Sequence, residues 1–307
     1  MISLVATADL LRAVGRAREV SVTAYTLGRG PVFDALASAC RRGARVRLRV
    51  EDRPFGDPLG GVQRANRSAV AVLARAGADA RMVDATDADG PPVHMKAAIV
   101  DGVAYLDDRN WTQAGDTIVR DDSQRDVRAL RSAIAGTAPH SEPSFWTRKA
   151  DAVAGEAALL HGATSARRVD VESEAFGTAG KAYAALKALA AGGVRCRLLV
   201  AARDLKPQAL HGLQLLARAG VGVRVGRSAE KMAVVDGRRA WVGSANATSS
   251  YFHGDQLDWG LRTSRAPIAR ALERRFEAAW ATGKPLATVS DRIVRSKDVQ
   301  SGGATLQ

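Results

Sequence analysis

Two periods alternate along this chain. Apolar residues recur at every second position at Val20 and Val22, and again at Val46, Leu48 and Val50, where Arg45, Arg47 and Arg49 fill the gaps; this is the spacing of strands. Between these segments Val32, Leu36 and Cys40 share one helical face. Near the C-terminus Ile268, Leu272, Phe276 and Trp280 do the same after Pro267, a favourable first-turn residue. Ala97 to Val100 and Met232 to Val235 are short unbroken apolar runs, as in buried strands. Strands alternating with helices predict parallel pairing and an α/β layered architecture with one sheet in each half.

The halves resemble each other. Leu73-Ala-Arg-Ala-Gly77 recurs as Leu216-Ala-Arg-Ala-Gly220. Upstream, Val20-Ser-Val22 corresponds to Val169-Asp-Val171, and Val46, Leu48, Val50 and Arg53 to Cys196, Leu198, Val200 and Arg203. Gly136-Thr-Ala-Pro139-His-Ser-Glu-Pro143 is turn-rich. The expected organisation is an N-terminal lobe over 1–135, a linker and helix over 136–160 with the helix near 147–160, a C-terminal lobe over 161–287, and a tail over 288–307 without a core pattern.

The 307 residues, 46% of them hydrophobic, suffice for two domains and exclude disorder, collagen and disulfide scaffolds. Charged residues interrupt every hydrophobic stretch, so no transmembrane helix is expected, and the opening residues lack the basic start of a secretory signal. Cys40 and Cys196 sit in apolar patterns as packing residues, and a cytoplasmic location is expected. The net charge of +13 draws polyanions, nucleic acid or an anionic membrane surface.

One motif occurs in both halves at a constant offset. His94-Met-Lys96 is followed after four residues by Asp101 and then by Asp107-Asp-Arg-Asn110; Ala229-Glu-Lys231 is followed after four residues by Asp236 and then by Gly243-Ser-Ala-Asn246. Period 2 puts His94 and Lys96 on one face. Cleaving a phosphodiester without a metal calls for a nucleophile, an acid for the leaving oxygen and fixed positive charge around the phosphoryl oxygens, roles that His, Lys and Asn can fill.

These residues resemble the signature of the phospholipase D superfamily: His-x-Lys, four residues, Asp, six residues, Gly-Ser-x-Asn, usually present twice. The likeness extends over roughly residues 4 to 282. It implies two tandem α/β lobes, each a β-sheet flanked by helices, related by a pseudo-twofold axis, with one site formed without need of an oligomer. It also implies that His94 attacks phosphorus while Lys96, Lys231, Asn110 and Asn246 hold the phosphate oxygens, and that Asp101 and Asp236 are structural. An acidic residue after each Asn, Asp116 and Asp258 here, would orient a catalytic His, with Asp258 serving the second motif. Ser244, Arg109 and His253 are further candidates for substrate contact. No cofactor or metal is expected.

The first motif departs from the pattern in having Asp107-Asp108 in place of Gly-Ser. The larger departure is Ala229 at the second His position, normally the leaving-group acid. A deliberate substitution, a naturally degenerate half, or a proton supplied by another group such as His253 would each account for it. Arg109 has two readings, phosphate contact or pairing with Asp107 or Asp108. The arginines at Arg45, Arg47, Arg49, Arg195 and Arg197 could form a polyanion path or merely a solvated strand face. Trp111, Trp241 and Trp259 read by default as core, with base stacking or lipid contact second. Three functions follow: a nuclease, slightly favoured by the charge; a phospholipase or phosphatidyltransferase acting on anionic phospholipid; or an inactive phosphodiester-binding protein.

Overall fold

The computed structural model describes residues 1–84, 92–111, 118–137, 142–202, 205, 207–227, 230–247 and 256–287. The chain forms two compact units. The first runs from Met1 to Glu156 and also takes in Trp241–Ala245 and a strand at Leu257–Thr263; the second holds most of the remainder. The chain thus returns from the second half to complete the first unit.

In the first unit the chain order is β1 (Ile2–Val5), α1 (Thr7–Val14), β2 (Glu19–Ala24), α2 (Pro31–Arg41), β3 (Arg45–Glu51), α3 (Gly61–Arg75), β4 (Asp79–Val83), β5 (Lys96–Val100), β6 (Val103–Asp107), β7 (Ile118–Asp121), α4 (Gln124–Ala135), β8 (Phe145–Arg148) and α5 (Lys149–His161), whose last turn passes into the second unit. Seven strands make one sheet in the order β1-β7-β6-β5-β2-β3-β4. Pairing is parallel only across β2, β3 and β4. From β2 to β5 and onward through β6, β7 and β1 it is antiparallel, which corrects the expectation of a parallel sheet. The cause is local: β5 and β6 are joined by Asp101-Gly102 alone, both with positive φ, and a two-residue turn can only return the chain antiparallel.

The alternation seen in the sequence sets the layers. Val20, Val22, Val46, Leu48, Val50 and Ala98 turn to one face and are buried against Val32, Phe33 and Leu36 of α2 and Ala69, Val70 and Leu73 of α3. Burying each such side chain contributes about 1.5–3 kcal/mol. Asn66 of α3, fully buried, donates to the carbonyls of Tyr25 and Glu51 and accepts from Leu27 N, so it ties the ends of β2 and β3 together.

The second unit repeats the chain order: β9 (Arg168–Ser173), α6 (Lys181–Ala191), β10 (Arg195–Ala201), α7 (Pro207–Arg218), β11 (Gly222–Gly226), β12 (Met232–Val235), the start of β13 (Arg239–Gly243), then α8 (Ala266–Thr282) and β15 (Lys284–Pro285) after β14 (Leu257–Thr263). Here β9, β10 and β11 pair in parallel, while β12 and β15 add antiparallel. Arg197 is not on a solvated face. Its guanidinium is buried against Asp170 at 2.7 Å and Glu277 at 2.7 Å and lies over the rings of Phe276 and Trp280, which removes it from any polyanion path. Arg195, by contrast, is exposed.

The repeated aspartates have the same task in each unit. Asp101, at φ 44°, accepts from Arg18 N and Glu19 N at 3.0 and 2.9 Å; Asp236, at φ 52°, accepts from Arg167 N and Arg168 N at 3.1 and 2.9 Å. Each clamps a strand-joining turn to the start of the neighbouring strand, with a residue type that tolerates the left-handed region. Among the described residues no helix is long and apolar enough to cross a membrane.

Glu156 of α5 is buried, and its Oε2 has no hydrogen-bond partner among the described residues. Burial pushes its carboxyl from an ordinary 4.5 up to about 8. The folded chain thus keeps a proton that the unfolded chain releases near 4.5. This contribution to stability is fully present below that pH and falls, by up to about 1.4 kcal/mol per pH unit, as pH rises towards 8. Glu156→Gln should flatten this slope between pH 5 and 8 in urea unfolding. Parallel curves for the two proteins would rule the buried acid out as its source.

Candidate active site

The end of β3 and the segment leading into β5 bring the first motif together. Val93 N donates to the buried carboxylate of Glu51 at 2.7 Å, and the adjoining backbone bonds to the start of β14: His94 N donates to Leu257 O at 2.9 Å and Leu257 N to Pro92 O at 2.8 Å. Burial pushes the Glu51 carboxyl up, against the hydrogen bonds it accepts from Val93 and Arg53. The extended chain at 92–94 is thereby held on two sides, and His94 projects at a fixed place.

Among the described residues, Asp258, Lys96 and Tyr25 flank His94. Its Nδ1 lies 2.8 Å from Asp258 Oδ1, its Nε2 lies 3.0 Å from Lys96 Nζ, and its ring meets Tyr25 edge-on at 4.8 Å between centroids. Lys96 Nζ also sits 5.2 Å over the Tyr25 ring. The Tyr25 hydroxyl donates to Phe55 O, and burial, followed by the charge of Glu51, pushes it up to about 12, so it stays a neutral phenol.

Asp258 is the centre of this arrangement, and it is 1% exposed. Burial alone would raise its carboxyl. The charge of His94, the hydrogen bond to it, the charge of Lys96 and the hydrogen bond from Ser244 together hold it below the ordinary carboxylate range. An ionised Asp258 accepts at Oδ1 both from Ser244 Oγ, at 2.7 Å, and from a proton on Nδ1 of His94. The same hydroxyl accepts from Trp259 N at 3.0 Å, and Ser244 is completely buried, so its place is behind the carboxylate and not at a substrate surface. The sequence reading attached Asp258 to position 229; in the structure its histidine is His94. Asp116, Ala229 and His253 lie outside the described residues.

The glycine of Gly243-Ser-Ala-Asn246 is explained by contact. A Cβ at Gly243 would come within 2.5 Å of Trp259 O and 2.8 Å of the Trp241 ring, so only glycine lets β13 lie this close to β14. Trp241 and Trp259 are buried, with the Trp259 indole donating to Asp107 O at 2.7 Å; Trp111 is buried too, and its N donates to Asp107 Oδ2 at 2.6 Å. All three tryptophans are core residues, as their default reading had it. Asp107 and Asp108 are buried, burial pushes the Asp107 carboxyl up, and Arg109 lies 3.9 Å from Asp108. Asn110 follows them, with a buried Oδ1 that has no hydrogen-bond partner among the described residues.

The second motif has its own setting in the other unit. Lys231 is buried with Nζ 3.0 Å from Glu174 Oε2, and Asn246 Oδ1 accepts from Ala175 N at 3.1 Å. Glu174, Tyr25 and Glu51 escaped the sequence reading; Glu174 follows β9, three residues beyond Val171 of the repeated Val-Asp-Val, which is the only signal that could have marked it.

Residues 158–280 match the family model described as the cardiolipin synthase, PLD-like domain. That match spans Lys231 to Asn246 and leaves His94 and Lys96 outside it. Over the whole chain the fold is similar to polyphosphate kinase from Porphyromonas gingivalis, at 14% identity and a TM-score of 0.66, covering 97% of this chain and 53% of the other. It is also similar to phosphatidylserine synthase from Haemophilus influenzae Rd KW20, at 9% identity and a TM-score of 0.61, covering 98% and 93% of the two chains. The whole-chain fold is thus shared with these two proteins, and residues 158–280 carry a phospholipase D-like domain. A shorter likeness, to the phospholipase D family member Nuc from Salmonella typhimurium, has 18% identity and a TM-score of 0.38 over 42% of this chain and 88% of that one. None of the curated proteins matches the chain in sequence. The chain spans about half the length of the polyphosphate kinase it resembles.

Proposed function

We propose that this chain is a phosphodiester hydrolase or phosphotransferase acting through His94, with nucleic acid as the favoured substrate. The observation that carries the reading is the line Asp258, His94, Lys96. A carboxylate that accepts a hydrogen bond from Nδ1–H keeps that proton on Nδ1 and the lone pair on Nε2, and the ammonium beside it supplies positive charge where a phosphoryl oxygen would lie. Nε2 attacks phosphorus, a P–N bond forms, and the P–O bond to the leaving oxygen breaks with its electron pair, that oxygen taking up a proton. Water or an alcohol then attacks phosphorus, gives up its proton, and returns the electrons of the P–N bond to Nε2. Asn110 is assigned to holding a phosphate oxygen, and no metal takes part.

Bis(4-nitrophenyl) phosphate tests this directly, because nitrophenolate leaves without protonation. Incubated with the chain in EDTA and quenched under alkaline conditions, it should leave a phosphoryl adduct that peptide mapping locates on His94. An adduct elsewhere, or turnover that stops in EDTA and returns with Mg²⁺, would overturn the assignment.

A second reading, action on phospholipid, has one observation in its favour. Phe55 and Leu59, 89% and 83% exposed, lie on the loop after β3, and Tyr25 beside His94 bonds to the Phe55 carbonyl. Two exposed apolar side chains close to the site suit a lipid interface. Comparing turnover of single-stranded DNA, RNA and phosphatidylglycerol vesicles separates the two.

A further inference from the structure

On the face of the first sheet covered by α4, a cleft of about 230 Å³ opens among Ser21 of β2, Arg47 and Arg49 of β3, Asp79 and Arg81 of β4, and Arg131 of α4. Among the described residues, four guanidinium groups line it against a single carboxylate. That carboxylate, Asp79, already accepts from Arg81 at 3.2 Å, and Arg47 has only a 3.9 Å contact with Glu19. Among the described residues no carboxylate pairs with Arg49 or Arg131. Arg49 is also held in place: its guanidinium is laid against Gly136, the left-handed C-cap of α4, where a Cβ would come within 2.8 Å of Nη1.

A merely solvated strand face would spread its charges outward or pair them. Here four like charges converge on one recess, an arrangement that concentrates positive potential and is relieved by an anion. Guanidinium forks match phosphate oxygens two at a time. We propose that this cleft binds phosphate groups of a nucleic-acid strand and so holds the substrate at a distance from His94, an inference that rests on the nucleic-acid reading above. The cleft is recessed, and none of the exposed large apolar residues, Met1, Phe55, Leu59 and Leu215, lines it, which suits a threaded chain better than a lipid surface.

The sheet register gives a length scale. Ser21 pairs with Ile99, which lies five positions along the chain from His94, so the chain between Ile99 and His94 reaches at most roughly 16 Å at 3.3 Å per strand residue. A nucleic-acid strand rising about 3.4 Å per nucleotide covers that distance in about five nucleotides. Long substrates should therefore gain from the cleft, and dinucleotides should not.

The test measures binding of a labelled single-stranded 20-mer by the full chain carrying His94→Ala, which leaves the strand uncut. Adding Arg49→Ala with Arg131→Ala should weaken binding at least about tenfold at low salt. It should also make the slope of log affinity against log salt shallower by about 1.4, at about 0.7 for each lost single-strand contact. Arg131→Ala alone, an exposed substitution that cannot disturb folding, should show part of the loss. Arg41→Ala with Arg75→Ala removes the same charge elsewhere and should cost less than about twofold. Equal losses for the two pairs would overturn the proposal, as would a cleft variant that loses binding to phosphatidylglycerol vesicles but keeps the oligonucleotide. Turnover of the small nitrophenyl diester by the chain with His94 intact reports the proposed chemistry separately. Its absence would sink that chemistry without touching the binding result.

Discussion

Asp258→Asn should lower turnover of a nitrophenyl phosphodiester by about 10³–10⁴-fold while the protein remains folded. The amide can keep the distance to His94, but it offers an N–H where the carboxylate offered only lone pairs. The imidazole then settles with its proton on Nε2 and has no electron pair for phosphorus. Loss of the orienting carboxylate in other catalytic triads has an effect of this order. The charge matters as well, because Asp258 is held ionised by the charges of His94 and Lys96 in a fully buried place. Ser244→Ala removes one of the hydrogen bonds to that carboxylate and should have a much smaller effect in the same assay. Unchanged turnover in Asp258→Asn would mean that the 2.8 Å contact is only a packing arrangement.

The second large effect concerns position 229. General acid catalysis is worth about 10²–10⁴-fold, and a leaving alkoxide needs the proton that Ala229 cannot give. Ala229→His should therefore raise turnover by this factor on a diester with a poor leaving group, such as a sugar hydroxyl. It should change turnover of the nitrophenyl diester little. If Ala229→His alters neither substrate while His253→Ala abolishes the reaction, the acid has moved to His253. If no variant turns over any diester, the chain is a phosphodiester-binding protein.

Period and spacing made most of the elements legible. Val32, Leu36 and Cys40 lie in α2, and Ile268, Leu272 and Phe276 form the buried stripe of α8. Strand direction was not read from alternation, because a half-buried strand has the same period whichever way its neighbour runs. The cue was nonetheless present in Asp101-Gly102, a two-residue turn, and in Asp236-Gly237-Arg238, a three-residue one, both short enough to join antiparallel strands. The partner of Asp258 was harder. Twelve residues from Asn246 tied it to its own motif, whereas the histidine it holds is 164 positions away. Arg197 failed for a similar reason: alternation with Arg195 shows that the two share a face but not that Asp170 and Glu277 come to bury one of them.

The return of Trp241–Ala245 and β14 to the first unit makes the two halves of the gene unequal to the two bodies of the protein. A polypeptide ending at Glu156 carries His94 and Lys96 but lacks both the carboxylate and the hydroxyl that set the imidazole. The strand that should bridge to residues 92–94 is missing from it as well. The repeat seen in the sequence is therefore not a pair of interchangeable parts: the ring of His94 in the first half is held by Asp258 of the second.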